Sequence, residues 1–461
     1  FFCPFLGGAK KFCPKSVKGC CFLKKLTGKD FVLGLQHLFA MFGATVLVPV
    51  LTGLSISSTL LFAGLGTLLF HVITGRKVPA FLGSSFAFLG GYFAVADICK
   101  NAGLEHFSAY AGVGVACAGL VYVVLAILFK IFGANKVMKY FPPVVTGPII
   151  IAIGLTLSST AISNCSANWI IALVAIVTVV VCNIWGKGMI KIIPILMGVI
   201  VSYVVAALMG QVDFTPVAQA AWIGIPFKME DTVFSLFGGC NASIVITSII
   251  TIVPISLATI IEHIGDISAI SSTVGQNFIA KPGLHRTLLG DGLATSLAAL
   301  FGAPANTTYG ENTGVLALTK VYDPRVIRLA AIFAAILSFC PKFAAVIEAM
   351  PSATIGGISL ILYGMISAVG VRNVVENHVD LSKSRNVIIA ALILVLAIGI
   401  KFGTGDAEAI VFAIGNITIS LSGIAVAAIT GILLNAILPG KDYNFGAKNA
   451  DDSKTGVNFE V

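Results

Sequence analysis

The sequence predicts an all-α integral membrane protein with fourteen transmembrane segments, and three observations lead to that prediction. First, 57% of the 461 residues are hydrophobic and only 11% are charged, with a mean hydropathy of +1.00. A soluble protein carries about 25% charged residues, so a soluble enzyme is excluded. Second, the apolar runs are long and continuous, which excludes an outer-membrane β-barrel with its alternating pattern. Third, the basic residues are divided unevenly among the segments that join these runs.

Fourteen apolar runs approach the length of about 20 residues that a helix needs to cross a bilayer. The third and the tenth run are short and contain Gly, Pro, Ser and Asn, so we expect broken helices there. The candidate spans are residues 31–51, 57–74, 83–96, 108–131, 142–157, 168–185, 192–209, 243–265, 286–302, 305–319, 325–343, 351–370, 385–400 and 408–437.

The basic residues set the expected orientation. If the N-terminus is cytoplasmic, 25 of the 29 Lys and Arg residues fall on the inner side of the membrane, the excess that cytoplasmic loops carry. We therefore expect both termini to be cytoplasmic. The net charge of +9 does not indicate nucleic-acid binding, because the basic residues form no basic soluble domain. The basic residues expected outside are Lys100, Lys228, Lys342 and Lys401.

Polar residues inside the spans recur at a constant offset. Gln36 in span one corresponds to Glu262 in span eight, 226 positions later, and Ser85 in span three corresponds to Glu311 in span ten at the same offset. Two halves of seven spans begin on opposite sides of the membrane. The recurrence therefore predicts a 7+7 inverted repeat, which is typical of secondary transporters.

The two interrupted spans are the expected binding region. Residues 79–86 and 304–312 each form a short extended stretch that runs into a half-helix. In hydrocarbon, backbone N–H and C=O groups must find partners within the protein, so such a break is tolerated only where it lines a cavity. There, the free N–H groups at the start of each half-helix can bind a carbonyl-bearing solute. The alternative is that both stretches are simple loops between spans.

Four acidic residues, Glu262, Asp266, Asp291 and Glu311, fall inside candidate spans. Each costs about 2.5–3.5 kcal/mol at the centre of a membrane helix, so we expect these residues to have a function. Glu262 and Asp266 are four residues apart and share one face of a helix. Because neighbouring carboxylates disfavour joint ionisation, one member of the pair is expected to carry a proton. Hydrogen bonding between helices is the alternative, and it stays open above all for Asp266 and Asp291.

Further side chains are candidates for the same region. His37 lies in span one, where it either takes part in proton transfer or packs between helices. Phe86 follows Ser85 and either stacks on a flat ligand or belongs to the core. His71 and His285 lie near expected cytoplasmic ends and are interpreted as interfacial. The sequence contains no P-loop, nucleophile elbow or metal-ligand cluster, so we expect neither an enzyme nor a cofactor nor a bound metal.

Several stretches resemble motifs of the nucleobase–ascorbate transporter family, also called the nucleobase:cation symporter-2 family. They are residues 36–45 (QHLFAMFGAT), 83–88 (GSSFAF) and 262–265 (EHIG). The stretch from Asn306 to Lys320 is similar to the family signature, an acid or amide followed by Asn, any residue, Gly, four residues, Thr and a basic residue. The resemblance extends from about residue 30 to residue 437 and is strongest to the branch whose members import uracil with protons.

The resemblance implies a protein of the cytoplasmic membrane of a bacterium. It also implies a homodimer in which a core domain moves against a gate domain by an elevator-like mechanism. The implied division is a cytoplasmic N-terminal segment (1–30), core segments (31–131 and 243–343), gate segments (132–209 and 344–437), an extracytoplasmic loop (210–242) and a cytoplasmic tail (438–461).

The resemblance also implies residue roles. Carboxylates would accept the N–H groups of a base, backbone N–H groups would donate to its carbonyl oxygens, and apolar side chains would pack on its ring. The implied substrate-binding residues are Glu262, Glu311, Phe86, Gly310, Tyr309 and Ala44, supported by Ser85, Asn312 and Gln36; the proton-coupling residues are Asp266, Glu262, His37 and Asp291.

Two residues depart from the uracil-transporting pattern. Asp266 stands where that branch has His, and Asp291 also resembles the purine-transporting branch. Glu311, in contrast, opens the signature as it does in uracil carriers. We predict a uracil:proton symporter driven by the proton gradient. The alternative within the family is a xanthine or uric acid:proton symporter. An anion carrier is disfavoured because no Lys or Arg lies at the broken helices.

Overall fold

A computed structural model describes residues 28–405, 408–414 and 417–441 of the chain. The side chains at positions 29, 135, 310–312, 318, 414, 417 and 418 are outside that description. The N-terminal segment 1–27, with its four cysteines, and residues 442–461 also lie outside the described residues. The described chain is mostly helical and contains two small antiparallel sheets.

The described elements follow one another with short connections. The helices are α1 (Gly28–Thr52), α2 (Ile56–Ile73), α3 (Leu89–Asn101), α4 (Phe107–Phe132), α5 (Ala134–Met138), α6 (Pro143–Thr156), α7 (Ser158–Ser166), α8 (Trp169–Ile184), α9 (Met189–Ile192), α10 (Pro194–Leu208), α11 (Thr215–Gln219), α12 (Ala242–Ile252), α13 (Ser256–Val274), α14 (Leu284–Leu300), α15 (Gly310–Thr319), α16 (Pro324–Leu337), α17 (Pro341–Glu348), α18 (Ser352–Glu376), α19 (Ser384–Gly403) and α20 (Gly423–Ile437). The strands are β1 (Leu82–Ser84), β2 (Asn306–Thr308), β3 (Ala409–Ile414) and β4 (Ile417–Ser422).

Over the described residues, seven helices or continuous helix pairs are long and apolar enough to cross a membrane. The number becomes eight if α16 and α17, which meet at an angle of 89°, form one span. The shorter apolar helices α8, α10 and α20 lie in further candidate spans. The chain is therefore a multispan membrane protein, and the count of fourteen spans stays a prediction.

The third and tenth candidate spans both contain extended backbone ahead of a helix. Strand β1 is followed by a short 3-10 turn, Phe86–Phe88, and then by α3, whereas β2 leads into α15. The two strands pair antiparallel, with Leu82 opposite Thr308 and Ser84 opposite Asn306. Two segments more than 200 residues apart in the chain therefore meet in one small sheet.

The sequence prediction of one helical span over residues 408–437 is wrong in its first half. Strands β3 and β4 form an antiparallel hairpin there, and only α20 is helical. The reason lies in the sequence, because half of the residues in the two strands are β-branched Ile, Val or Thr, which favour strands. The side chain of Ser422 accepts a hydrogen bond from the N–H of Ala425 and caps the start of α20.

Small residues let the central helices approach closely. A Cβ atom on Gly119 of α4 would lie 2.6 Å from the carbonyl oxygen of Gly292 on α14, and one on Gly292 would lie 2.6 Å from the carbonyl oxygen of Gly119. The two helices therefore cross backbone to backbone, as is common in membranes. This crossing brings Asp291, next to Gly292, to the side of Tyr122, which lies one turn beyond Gly119.

Candidate functional site

The sheet formed by β1 and β2 is buried along its whole length. A two-stranded sheet has two outer edges, and at membrane depth their backbone groups find no water. On the β1 edge, the N–H of Leu82 donates to Oγ1 of Thr67 on α2 over 2.9 Å. On the β2 edge, Oγ1 of Thr295 on α14 donates to the carbonyl oxygen of Asn306. Threonine hydroxyls on two neighbouring helices thus form the hydrogen bonds that a further strand would otherwise make with these edges.

Further hydrogen bonds fix the two ends of the sheet. The N–H of Ser85 donates to the carbonyl oxygen of Ala305 over 2.9 Å, and the N–H of Ala305 donates to the hydroxyl of Tyr92 over 2.9 Å. The amide of Asn306 donates to the carbonyl oxygen of Phe62 over 2.7 Å. The start of each half-helix is therefore held from several sides.

Gly83 and Tyr309 pack directly against each other across the sheet. A Cβ atom on Gly83 would lie 2.5 Å from the Tyr309 ring, so no larger residue fits at this position without displacement. The Tyr309 hydroxyl donates to the carbonyl oxygen of Ser84 over 3.1 Å, and the Ser84 hydroxyl donates to the carbonyl oxygen of Thr45 on α1 over 2.8 Å. Position 83 thus requires glycine, because the Tyr309 ring packs against it while the Tyr309 hydroxyl hydrogen-bonds the other strand.

The apolar residues implied for the site lie around this sheet. Phe86, Tyr309 and Ala44 are all buried. The Phe86 ring meets Tyr363 of α18 edge-on, with centroids 5.6 Å apart and planes at 79°. Phe86 therefore lies where the first half-helix meets α18, a helix of the segment expected to form the gate.

The acidic and polar candidates are divided between α13, α14 and α1. Glu262, which is half-buried, and Asp266, which is buried, lie on α13, and this helix packs against both β2 and α15. Gln36 and His37 are buried on α1, which packs against β1 and α15. Neither ring nitrogen of His37 has a hydrogen-bond partner among the described residues.

For the remaining expected site residues, the structure gives fewer contacts. Ser85 is buried, and its hydroxyl has no partner within the described part of the chain. Gly310 is the first residue of α15. The side chains of Glu311 and Asn312 lie outside the described residues, so only their position in the first turn of α15 is known.

His263 is a buried polar residue that the sequence analysis did not single out. Its Nδ1 atom forms a 3.1 Å hydrogen bond with the hydroxyl of Thr308 in β2. The same atom lies 3.1 Å from Oδ2 of Asp291 on α14, and all three side chains are buried. Two features of the sequence could have indicated this residue. His263 follows Glu262, and it lies 226 positions after His37, the offset of the predicted repeat.

His71 corrects an expectation. The sequence placed this residue at the membrane interface, but it is fully buried, and its Nε2 atom lies 2.9 Å from the carbonyl oxygen of Ala80. The chain between α2 and β1 leaves this carbonyl without a helical partner, and the histidine satisfies it. A polar residue near a helix end thus serves the broken segment rather than the lipid headgroups.

A cavity lies beside the 3-10 turn and the start of α3. It is lined by Ala87, Gly90, Asp97, Thr251, Lys401 and Glu408, among others. Lys401 forms an ion pair with Glu408 at this cavity. The cavity therefore extends from the 3-10 turn to the start of β3.

Buried paired strands that each lead into a helix, together with several apolar spans, are features of a membrane transporter. A solved structure, the transmembrane domain of a cyanobacterium bicarbonate transporter BicA, has the same fold with a TM-score of 0.60, and the match covers 89% of this chain and 97% of that one. At 15% sequence identity, the likeness concerns the fold alone.

A family model assigns the chain more narrowly. The Xan_ur_permease model, described as a permease family, matches residues 28–405. The chain belongs to this permease family, and it is a transporter rather than an enzyme. The uracil permease of Bacillus caldolyticus is 42% identical over 423 residues, covering 90% of this chain and 93% of that protein. The uracil permease of Bacillus subtilis (strain 168) is 41% identical over 418 residues, covering 88% and 91%.

Proposed function

We propose that this chain imports uracil together with protons across the cytoplasmic membrane. The relatives that share about two fifths of its residues over nearly its whole length are named uracil permeases. The observation that carries the proposal is the meeting of two half-helix starts at one buried sheet. A xanthine or uric acid symporter, the alternative from the sequence, is not favoured by these relatives.

The chemistry of the paired half-helices suits a flat base. Uracil presents two N–H donors and two C=O acceptors in one plane. Backbone N–H groups at Phe86 and Gly310 start the two half-helices, and free N–H groups at such positions favour carbonyl oxygens. A carboxylate accepts N–H groups, which suits Glu262 and Glu311. Phe86, Tyr309 and Ala44 then cover the ring, with Ser85, Asn312 and Gln36 as polar support.

Proton coupling is assigned to the acids on α13. We infer that Asp266 takes up the proton and that Glu262 is coupled to it, with His37 and Asp291 as further members of the proton site. A protonated carboxylate lowers the cost of moving the loaded site through hydrocarbon. Proton release on the cytoplasmic side then favours release of uracil.

The architecture assigned to this cycle has fourteen spans in a 7+7 inverted repeat, with both termini in the cytoplasm. A core domain (31–131 and 243–343) would carry the site past a gate domain (132–209 and 344–437) in an elevator-like movement, within a homodimer. The two half-helices belong to the core in this division, and α18, which contacts Phe86, belongs to the gate. The Phe86–Tyr363 contact is then one that must change during transport.

The test is uptake of labelled uracil by permease-deficient bacterial cells that express this chain. We expect accumulation above the external concentration, loss of accumulation with a protonophore, and little competition from xanthine. Accumulation that persists with the protonophore would contradict proton coupling. Strong competition from xanthine, with weak uptake of uracil, would contradict the substrate.

A further inference from the structure

His263 lies at the junction of three elements of the transport site. It belongs to α13 and follows Glu262 in the sequence, and its Nδ1 atom contacts both Thr308 in β2 and Asp291 on α14. Thr308 is the last residue of the strand that leads into α15. A change at His263 therefore acts on the strand that begins the second half-helix.

The two ring nitrogens of His263 have different surroundings. A neutral imidazole has one hydrogen, and a carboxylate beside Nδ1 favours the tautomer in which Nδ1 carries it. The Nε2 atom then has an open lone pair. It is buried, and it has no hydrogen-bond partner among the described residues. An unfilled acceptor of this kind is unusual in a protein interior and is expected where a group binds or releases something.

Two side chains from neighbouring helices contact the ring. Asp291 of α14 lies 3.1 Å from Nδ1 and is itself fully buried, so the acid and the imidazole form a close buried pair. From α4, the Tyr122 ring meets the imidazole edge-on, with centroids 6.4 Å apart. Strand β2 contributes the neutral hydroxyl of Thr308, and α13 itself carries Glu262 and Asp266. Asp291 and Tyr122 thus contact His263 from α14 and α4, and Glu262 and Asp266 are its neighbours along α13.

We propose that His263 is a proton-binding residue of the transport cycle, taking up the proton at Nε2 while Asp291 carries the counter-charge. The proposal rests on the proton coupling assigned above, and it adds a site to the one at Asp266. His263 and Asp266 are three residues apart and are neighbours on the helix surface. Through its bond to Thr308, the charge state of His263 is linked to strand β2 and thereby to the start of α15.

The test compares wild type with His263→Asn in proteoliposomes. Asparagine places an amide N–H near the position of Nδ1 and keeps a donor for Thr308 and Asp291, but it takes up no proton between about pH 5 and 8. We expect exchange of internal for external uracil, which moves no net protons, to fall by a smaller factor than proton uptake does. Uracil-driven proton uptake, followed with an entrapped pH indicator, should fall to less than half, and the pH dependence of the uracil KM should flatten.

Two matched variants separate this role from a structural one. His263→Leu removes both the donor and the acceptor and should lose exchange as well as proton uptake. His378→Asn changes an exposed histidine whose φ of 50° asparagine tolerates, and it should behave as wild type.

Proton uptake by His263→Asn equal to that of wild type overturns the proposal while leaving proton coupling intact. If the wild-type protein transports uracil with no uracil-driven proton uptake, the proposed proton coupling itself is wrong. If His263→Asn does not assemble, His263→Gln decides the question. Glutamine also takes up no proton between about pH 5 and 8, so halved proton uptake supports the proposal and unchanged uptake overturns it.

Discussion

The described residues form two antiparallel two-stranded sheets, which differ in strand length, burial and the distance between their strands along the chain. In the β1–β2 sheet, three-residue strands from distant parts of the chain meet, and all six residues are buried. In the β3–β4 sheet, six-residue strands follow one another directly, and Ile410, Val411 and Phe412 are exposed. The first sheet is held by contacts between helices, whereas the second is held by its own hairpin.

The difference teaches where a small sheet obtains its stability in a membrane protein. An isolated two-stranded hairpin is marginal, and its free edges need water or another partner. The β3–β4 edge packs partly on α12 and α3 at the side of a cavity. The β1–β2 edges are satisfied by hydroxyl groups of Thr67 and Thr295. Single side chains should therefore matter far more for β1–β2 than for β3–β4.

The largest effect is expected from Gly83→Ala. The new Cβ would lie 2.5 Å from the Tyr309 ring, so the two strands must separate or the ring must move. Overpacking of this kind costs about 1–3 kcal/mol. We expect loss of uracil uptake and a lower Tm in detergent. Gly90→Ala on α3 is the matched control, because a Cβ there meets nothing within 4 Å; equal behaviour of the two variants would contradict the close packing of the sheet.

A smaller effect is expected from Thr295→Val. This change leaves the carbonyl oxygen of Asn306 without its donor in a buried position, which costs about 1–3 kcal/mol. We expect a reduced Tm and a raised KM for uracil, measured by thermal unfolding and uptake. In the control, Thr178→Val, the lost hydroxyl only bonds the carbonyl oxygen of Val174 in its own helix. If Thr295→Val lowers the Tm no more than Thr178→Val does, the buried sheet does not depend on the hydroxyl of Thr295.

The smallest effect is expected from Glu408→Gln at the start of the hairpin. This change removes the ion pair with Lys401, and pairs with exposed members contribute about 0–1 kcal/mol. We expect a Tm close to wild type and uptake that is nearly unchanged. A loss of stability as large as that of Thr295→Val would show that the hairpin supports the transport site.

Sequence reasoning succeeded where one physical requirement dominates. Long apolar runs predicted the helices α1, α2 and α4 closely, because exclusion from water decides those segments. Strands β1 and β2 lie within residues 79–86 and 304–312, where the sequence predicted extended backbone; that they interrupt membrane-spanning helices stays a prediction. The strands β3 and β4 were missed because their residues are as apolar as those of a helix.

The contacts that stabilise the candidate site could not be predicted from the sequence, because they join residues that are far apart in the chain. A threonine in an apolar helix ordinarily bonds a carbonyl oxygen of the preceding turn, so nothing marks Thr67 or Thr295 as partners of a distant strand. His263 and Asp291 are 28 positions apart on different helices, and their contact depends on how those helices cross. The four acids were selected as functional candidates because a charged residue is costly in a membrane. Which side chains they contact can be read only from the folded structure.

The central claim is that a uracil site lies where α13 meets the paired strands and half-helices. Isothermal calorimetry of uracil binding to purified Glu262→Ala tests it most directly, with Glu376→Ala, an exposed residue paired to Arg372, as the control. The account predicts that Glu262→Ala loses measurable binding, a weakening of more than about tenfold or 1.4 kcal/mol, while Glu376→Ala binds as wild type does. Unchanged affinity in Glu262→Ala would contradict the account.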